Sequence, residues 1–185
     1  MSKMKKTFKM SRIKDELARI ARIGQEFVDG DLCRQAWEPH SETFMCGDDM
    51  DYNPDACVPL KKTLMRLERL CPFPCSTTLW RRRPDFPDTG EVLLFGMHSS
   101  PQGGNKPPRG YVPPKMTREL EAVFLRGESA WRKDAGGGTV AILIGRGVAV
   151  NGVGVKNPFS LQLFVPVKDS MGDIAVALEV FTVVS

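Results

Sequence analysis

The stretch IAVALEVFTVV, residues 174–184, decides the fold. Its odd and even positions both read apolar. Ile174, Val176, Leu178 and Val180 lie along one side, and Ala175, Ala177, Phe181 and Val183 along the other. β-Branched and aromatic residues at this density specify a strand, and side chains on a strand alternate between its faces with a period of two. A strand with no polar face must be covered twice. A chain of 185 residues has limited material for that cover. The expectation is a packed or assembled β unit.

Working back from this strand, the chain after Gly136-Gly137-Gly138 reads as a series of short strands at about 139–144, 147–150, 153–156 and 160–167. Val148, Val150, Val153 and Val155 flank Asn151-Gly152, the dipeptide that best suits a two-residue hairpin turn. The connections are too short for crossover helices, so neighbouring strands are expected to be antiparallel. Pro166 lies within a strand and requires either a local edge or a bulge there.

The N-terminal half reads differently. Ile13, Leu17, Ile20, Ile23 and Phe27 recur at three- or four-residue steps, which predicts a helix over 11–28 with Ser11 as cap and Gly30 as stop. Leu60, Leu64, Leu67 and Leu70 predict a second helix from about Pro59 to Leu70, ended by Pro72 and Pro74. Residues 72–90 are rich in proline and arginine and are expected to be loop. A strand is expected at Glu91–Met97, then a long Pro/Gly-rich loop over 98–115. Thr117 caps a short helix with Leu120 and Phe124 inward and Gly127 at its end.

The fold class expected is therefore α+β: N-terminal helices and an acidic loop followed by a C-terminal antiparallel β-sheet, a meander. Three regions are expected. Residues 1–75 form a helical, Cys-containing N-terminal region, 76–137 a Pro/Gly-rich connector with one strand and one short helix, and 138–185 the antiparallel β region.

Composition bounds the function. Hydrophobic residues make up 42% and charged residues 26%, ordinary values for a soluble globular chain. No stretch approaches the ~20 apolar residues of a membrane span. The basic N-terminus is followed by no apolar signal core, so a cytoplasmic location is expected. The net charge of +4 is unevenly distributed. Residues 1–22 hold eight Lys/Arg against Asp15 and Glu16, whereas residues 23–57 hold nine acids against Arg34 alone. Acids this close to the basic stretch favour pairing between the two over capture of an external polyanion.

Several constellations of residues bear on chemistry. All five cysteines fall between positions 33 and 75, with His40 among them. Cys46, Cys71, Cys75 and His40 are the candidate zinc ligands, since thiolate and imidazole suit a tetrahedral ion. Only Cys71-x3-Cys75 has the spacing of a ligand pair, however, and two prolines lie inside it. Asp49-x-Asp51-x-Asn53-x-Asp55 begins like a calcium loop but places Pro54 where glycine is needed and Leu60 where a bidentate glutamate is needed. Gly145-Arg146-Gly147 lacks the third small residue and following helix of a dinucleotide turn, and Val153 stands where a phosphate loop needs lysine. His98 beside Ser99 and Ser100 makes no dyad, because neighbouring side chains on a strand point apart. Trp80-Arg81-Arg82-Arg83 joins an aromatic to three guanidiniums and is the candidate contact for nucleic acid or another anion.

These readings lead to a non-catalytic structural or assembly subunit. It self-associates or docks on a protein partner through its β region and N-terminal helices, with homo-oligomers expected and no membrane span. The alternatives are a zinc- or nucleic-acid-binding module centred on residues 33–83 and an enzyme using the 98–115 loop.

Overall fold

The computed structural model describes residues 9–36, 54–82, 87–95, 115–135 and 159–184. The expected strands between 139 and 156, the 98–114 loop with His98, the Asn151-Gly152 turn, and Cys46, His40 and Arg83 lie outside the described residues.

Helix α1 spans Met10–Phe27 and buries Ile13, Leu17, Ile20, Ala21 and Gly24. The three- and four-residue spacing places these on one stripe. It starts one residue before Ser11, with Lys9 at the cap position and no side-chain cap. Helix α2, Gly30–Gln35, follows almost at once, capped by the Asp29 carboxylate, which accepts from the Leu32 N–H at 3.0 Å. Gly30 therefore does not end α1; it opens α2. Its Cα lies against the Lys168 carbonyl and the Asp169 N–H, an approach that no larger residue permits. Helix α3, Pro54–Leu70, begins five residues before the expected start. Pro54 takes the first position, where a missing N–H costs nothing, and Pro59 lies one turn further inside.

The segment expected to be loop after Pro74 is instead strand β1, Ser76–Arg82, paired antiparallel with β2, Gly90–Phe95. Helix α4, Arg118–Arg126, matches its reading. The Thr117 hydroxyl accepts from the Leu120 N–H at 3.4 Å, and Gly127 closes the helix at φ 69°. Strand β3, Ala130–Ala135, runs against β4, Phe159–Lys168, and β4 against β5, Ile174–Val184. The described strands form one antiparallel sheet in the order β2-β1-β5-β4-β3. The meander β3-β4-β5 thus joins the β1-β2 hairpin along β5, and the α+β class stands, with three strands drawn from residues before 138. Pro166 does sit at a local edge: β3 ends its pairing at Phe164, so the missing N–H meets no neighbour, and a register shift follows at Val167/Lys168.

The last strand lies at the centre of the sheet, and every residue from Val176 to Val184 is buried. Its even positions Val176, Leu178 and Val180 join Leu79, Leu161, Leu163 and Val165 beneath α1 and α3. Leu17, Ile20, Leu60 and Leu64 complete that layer, each no more than 1% exposed. On the other face Ala177 and Phe164 pack under Leu120 and Val123 of α4. Further along this face Phe181 and Val183 are buried too. Each buried Val or Leu contributes about 2 kcal/mol of transfer free energy. Both sides of β5 are thus satisfied within one chain. The inference that this strand needs a second copy to shield it does not hold, because α1 and α3 pack over one side of it and α4 over part of the other, and its residues from Val176 on are buried within the single chain.

Candidate functional site

Three places carry chemistry or exposure that packing alone does not explain. The first is a pair of thiols. Chain reversal after Leu70, through Cys71-Pro72-Phe73-Pro74-Cys75, brings the two cysteines together: the Cys71 backbone N–H and the Cys75 thiol both donate to the Glu68 carbonyl, at 3.3 and 3.6 Å. Cys71 is half-buried and Cys75 is 1% exposed. The neighbouring Cys75 holds the Cys71 thiol below its ordinary range, against burial, with help from a backbone hydrogen bond at Phe73; the Glu16 carboxylate opposes this and the Arg19 guanidinium, paired with it, assists. The neighbouring Cys71 sulfur and burial push Cys75 up. Arg19 is fixed nearby by donating to Glu16 at 2.8 Å and to the Leu70 carbonyl at 2.9 Å.

Cys33 and Cys57 form a second neighbouring pair. Both are buried, and burial raises both thiols, that of Cys57 to about 11. Cys57 and Cys71 stand at opposite ends of α3, fourteen residues apart in the sequence. At 1.5 Å rise per residue the two pairs are about 20 Å apart, too far to share one ion. Of the four candidate zinc ligands, the structure brings Cys71 and Cys75 together. Among the described residues no group of three or more His, Cys, Asp or Glu is placed to hold a metal ion.

The second place is Glu179, at the centre of the sheet and 5% exposed. It faces Phe164 on β4 and Thr78 on β1. The Trp80 indole N–H donates to its carboxylate at 2.7 Å. Burial pushes the acid up to about 7, and the Trp80 hydrogen bond and the Arg132 charge only partly oppose this. Trp80 is therefore engaged with a buried acid. The Trp80–Arg82 run lies on a strand, where neighbours point to opposite faces, and the Arg82 Nε donates to the Pro87 carbonyl at 2.7 Å. Glu179 is a residue that hydrophobic patterning passes over: one acid inside an apolar strand.

The third place is the end of the sheet around the β4–β5 turn. Asp169 Oδ1 accepts from the N–H groups of Met171 and Asp173 at 3.0 and 2.9 Å, and Gly172 takes φ 88°. Helix α2 clamps the turn from outside. Asp31 accepts from the N–H and hydroxyl of Ser170 at 3.2 and 3.1 Å, and Arg34 pairs with Asp169. Gln25 of α1 donates to the Pro166 carbonyl at 2.9 Å. Held this firmly, the turn presents Met171 at 85% exposure. Phe27 in the last turn of α1 is 70% exposed, and Leu125 in the last turn of α4 is 58% exposed, two residues before Gly127, which packs against Ile174 at the start of β5. Phe27 belongs to the helix on one face of the sheet, Leu125 to the helix on the other and Met171 to the β4–β5 turn, so no local pattern in the sequence pairs them. No protein-family model and no curated protein matches the chain.

Proposed function

We propose that this chain is a non-catalytic assembly subunit, and that its docking surface is the end of the sheet carrying Phe27, Leu125 and Met171. The observation that supports this reading is the ordered β4–β5 turn, tied to α2 by side-chain hydrogen bonds yet holding Met171 at 85% exposure. Ordering a loop costs entropy, and a rigid turn that displays a large apolar side chain is preorganised for contact. The other large exposed apolar residues, such as Val58, Leu70 and Trp131, are spread over other elements.

The occupant we infer is a second copy. Glu26, Asp29, Asp31, Glu128, Asp169 and Asp173 each lie within four residues in the sequence of one of the exposed side chains, as do Arg126 and Lys168. The whole chain is nevertheless +4, so the remainder of the molecule is positive and complementary to this end. A head-to-tail contact of this kind joins two different surfaces and closes into a ring or extends.

Light scattering of the full chain from about 1 to 200 μM tests the reading. The expected result is a mass that rises with concentration, falls with salt, and returns to that of the monomer in Phe27→Ser/Met171→Ser with its helix signal unchanged. A monomer at every concentration, or association that the double substitution leaves intact, overturns it.

A further inference from the structure

We propose that Cys71 and Cys75 are a redox-active dithiol that exchanges with disulfides. This inference stands apart from the docking surface, which lies elsewhere in the fold. The geometry provides the parts that such exchange needs. Both cysteines meet at the Glu68 carbonyl, which accepts from the Cys71 backbone N–H and the Cys75 thiol at 3.3 and 3.6 Å, so the second sulfur is close by when the first has reacted. Pro72 and Pro74 fix two of the three intervening φ angles, which limits the conformational freedom lost on closing the loop. Exposure is divided between the partners. Cys71 is open to a reagent on the surface beyond the end of α3, and Cys75 is closed behind it.

The division of reactivity follows the division of exposure. The neighbouring Cys75 and a backbone hydrogen bond at Phe73 favour the thiolate at Cys71, and burial keeps Cys75 protonated until Cys71 has reacted. The other described pair contrasts with this one. Cys33 and Cys57 are both buried, and both are raised by burial, which leaves neither as an entry point.

The co-reactant is a low-molecular-weight disulfide. The Cys71 thiolate attacks one sulfur of that disulfide, forms a mixed disulfide and releases one thiolate. Cys75 then loses its proton and attacks the Cys71 sulfur, forming the Cys71–Cys75 bond and releasing the second thiolate. The chain gives up two electrons and two protons, and the reagent becomes two thiols. The new bond requires the sulfurs to close to about 2.05 Å, after which Cys75 can no longer donate to the Glu68 carbonyl. The bond would join the end of α3 directly to the start of β1.

The test uses the full chain equilibrated with mixtures of reduced and oxidised glutathione, then trapped with a maleimide and mapped by mass spectrometry. The expected result is a reversible loss of two hydrogens, located to the peptide linking Cys71 and Cys75. In Cys75→Ser, the mixed disulfide with glutathione is expected to accumulate on Cys71. In Cys71→Ser, Cys75 is expected to stay unmodified. Alkylation by iodoacetamide is expected to reach Cys71 at least about tenfold faster than Cys33, Cys57 or Cys75. If both cysteines remain free thiols under fully oxidising glutathione, or if either pairs with another cysteine instead, the proposal is overturned.

Discussion

Replacing Glu179 with glutamine removes a titration that burial has moved close to neutral pH. In the folded chain this acid is raised from 4.5 to about 7, chiefly by its loss of hydration. The folded state therefore holds the proton more tightly than the unfolded state. The associated stability is fully present below pH 4.5 and is lost as the pH rises through about 7. At 1.36 kcal/mol per pKa unit the difference amounts to about 3 kcal/mol. With the residue 5% exposed, solvent screening removes little of this. Glutamine keeps the shape and an oxygen for the Trp80 indole N–H, but carries no charge at any pH. Urea unfolding of both proteins from about pH 4.5 to pH 8.5 reads the effect directly. Other titrating groups act on both chains equally and cancel in the difference. Near pH 4.5 the two should differ little, and by pH 8 Glu179→Gln should be the more stable by about 3 kcal/mol. Glu179→Ala separates charge from hydrogen bonding. It also removes the charge but leaves the Trp80 N–H unpaired, at a cost of about 1–3 kcal/mol. Parallel stability curves for wild type and Glu179→Gln would refute the reasoning, since they would mean that water reaches the carboxylate.

Gly30→Ala should lose about 2–3 kcal/mol in urea unfolding, because its new Cβ meets the Lys168 and Asp169 backbone, which cannot turn aside. Gly24→Ala should cost less, since its Cβ meets the Leu178 and Leu67 side chains, which can re-orient, and alanine favours the helix. Leu178→Ala, in the central strand at 0% exposure, should cost about 3–5 kcal/mol with no change in association.

The elements legible in the sequence were those whose side chains meet one continuous layer. Leu17 and Ile20 of α1, Leu60 and Leu64 of α3, and the caps Thr117 and Gly127 of α4 carry local signals that tertiary structure reinforces. Strands β4 and β5 were legible by their unbroken apolar runs. Strand β1 was not, because Ser76, Thr77 and Thr78 are buried without being apolar. Thr77 is satisfied by the Glu68 carboxylate, which accepts from its N–H and its hydroxyl at 2.8 Å. That partner is nine residues away and on a helix, so the pattern of β1 alone resembles a turn. Strand β3 reads as polar because it lies at the edge of the described sheet, where Trp131 and Lys133 stay exposed and make cation–ring contacts with Lys14 and Phe159 rather than entering a core.

The candidate sites were partly legible for the same reason. Cys71 and Cys75 are close in sequence, and their pairing follows from a short proline-bound reversal. The exposed trio is different. Phe27, Leu125 and Met171 are brought to one end of the sheet only when α1, α4 and the β4–β5 turn have docked, and single exposed apolar residues carry no signal of their own.

The central structural claim is that strand Ile174–Val184 is sheltered on both faces by its own chain. Amide hydrogen exchange at low and high protein concentration tests it most directly. The account predicts that the amides of residues 176–183 are among the slowest in the protein and exchange at the same rate from about 1 to 100 μM. Protection in this strand that appears only as concentration rises would contradict it, and would return the sheet face to the role of an interface.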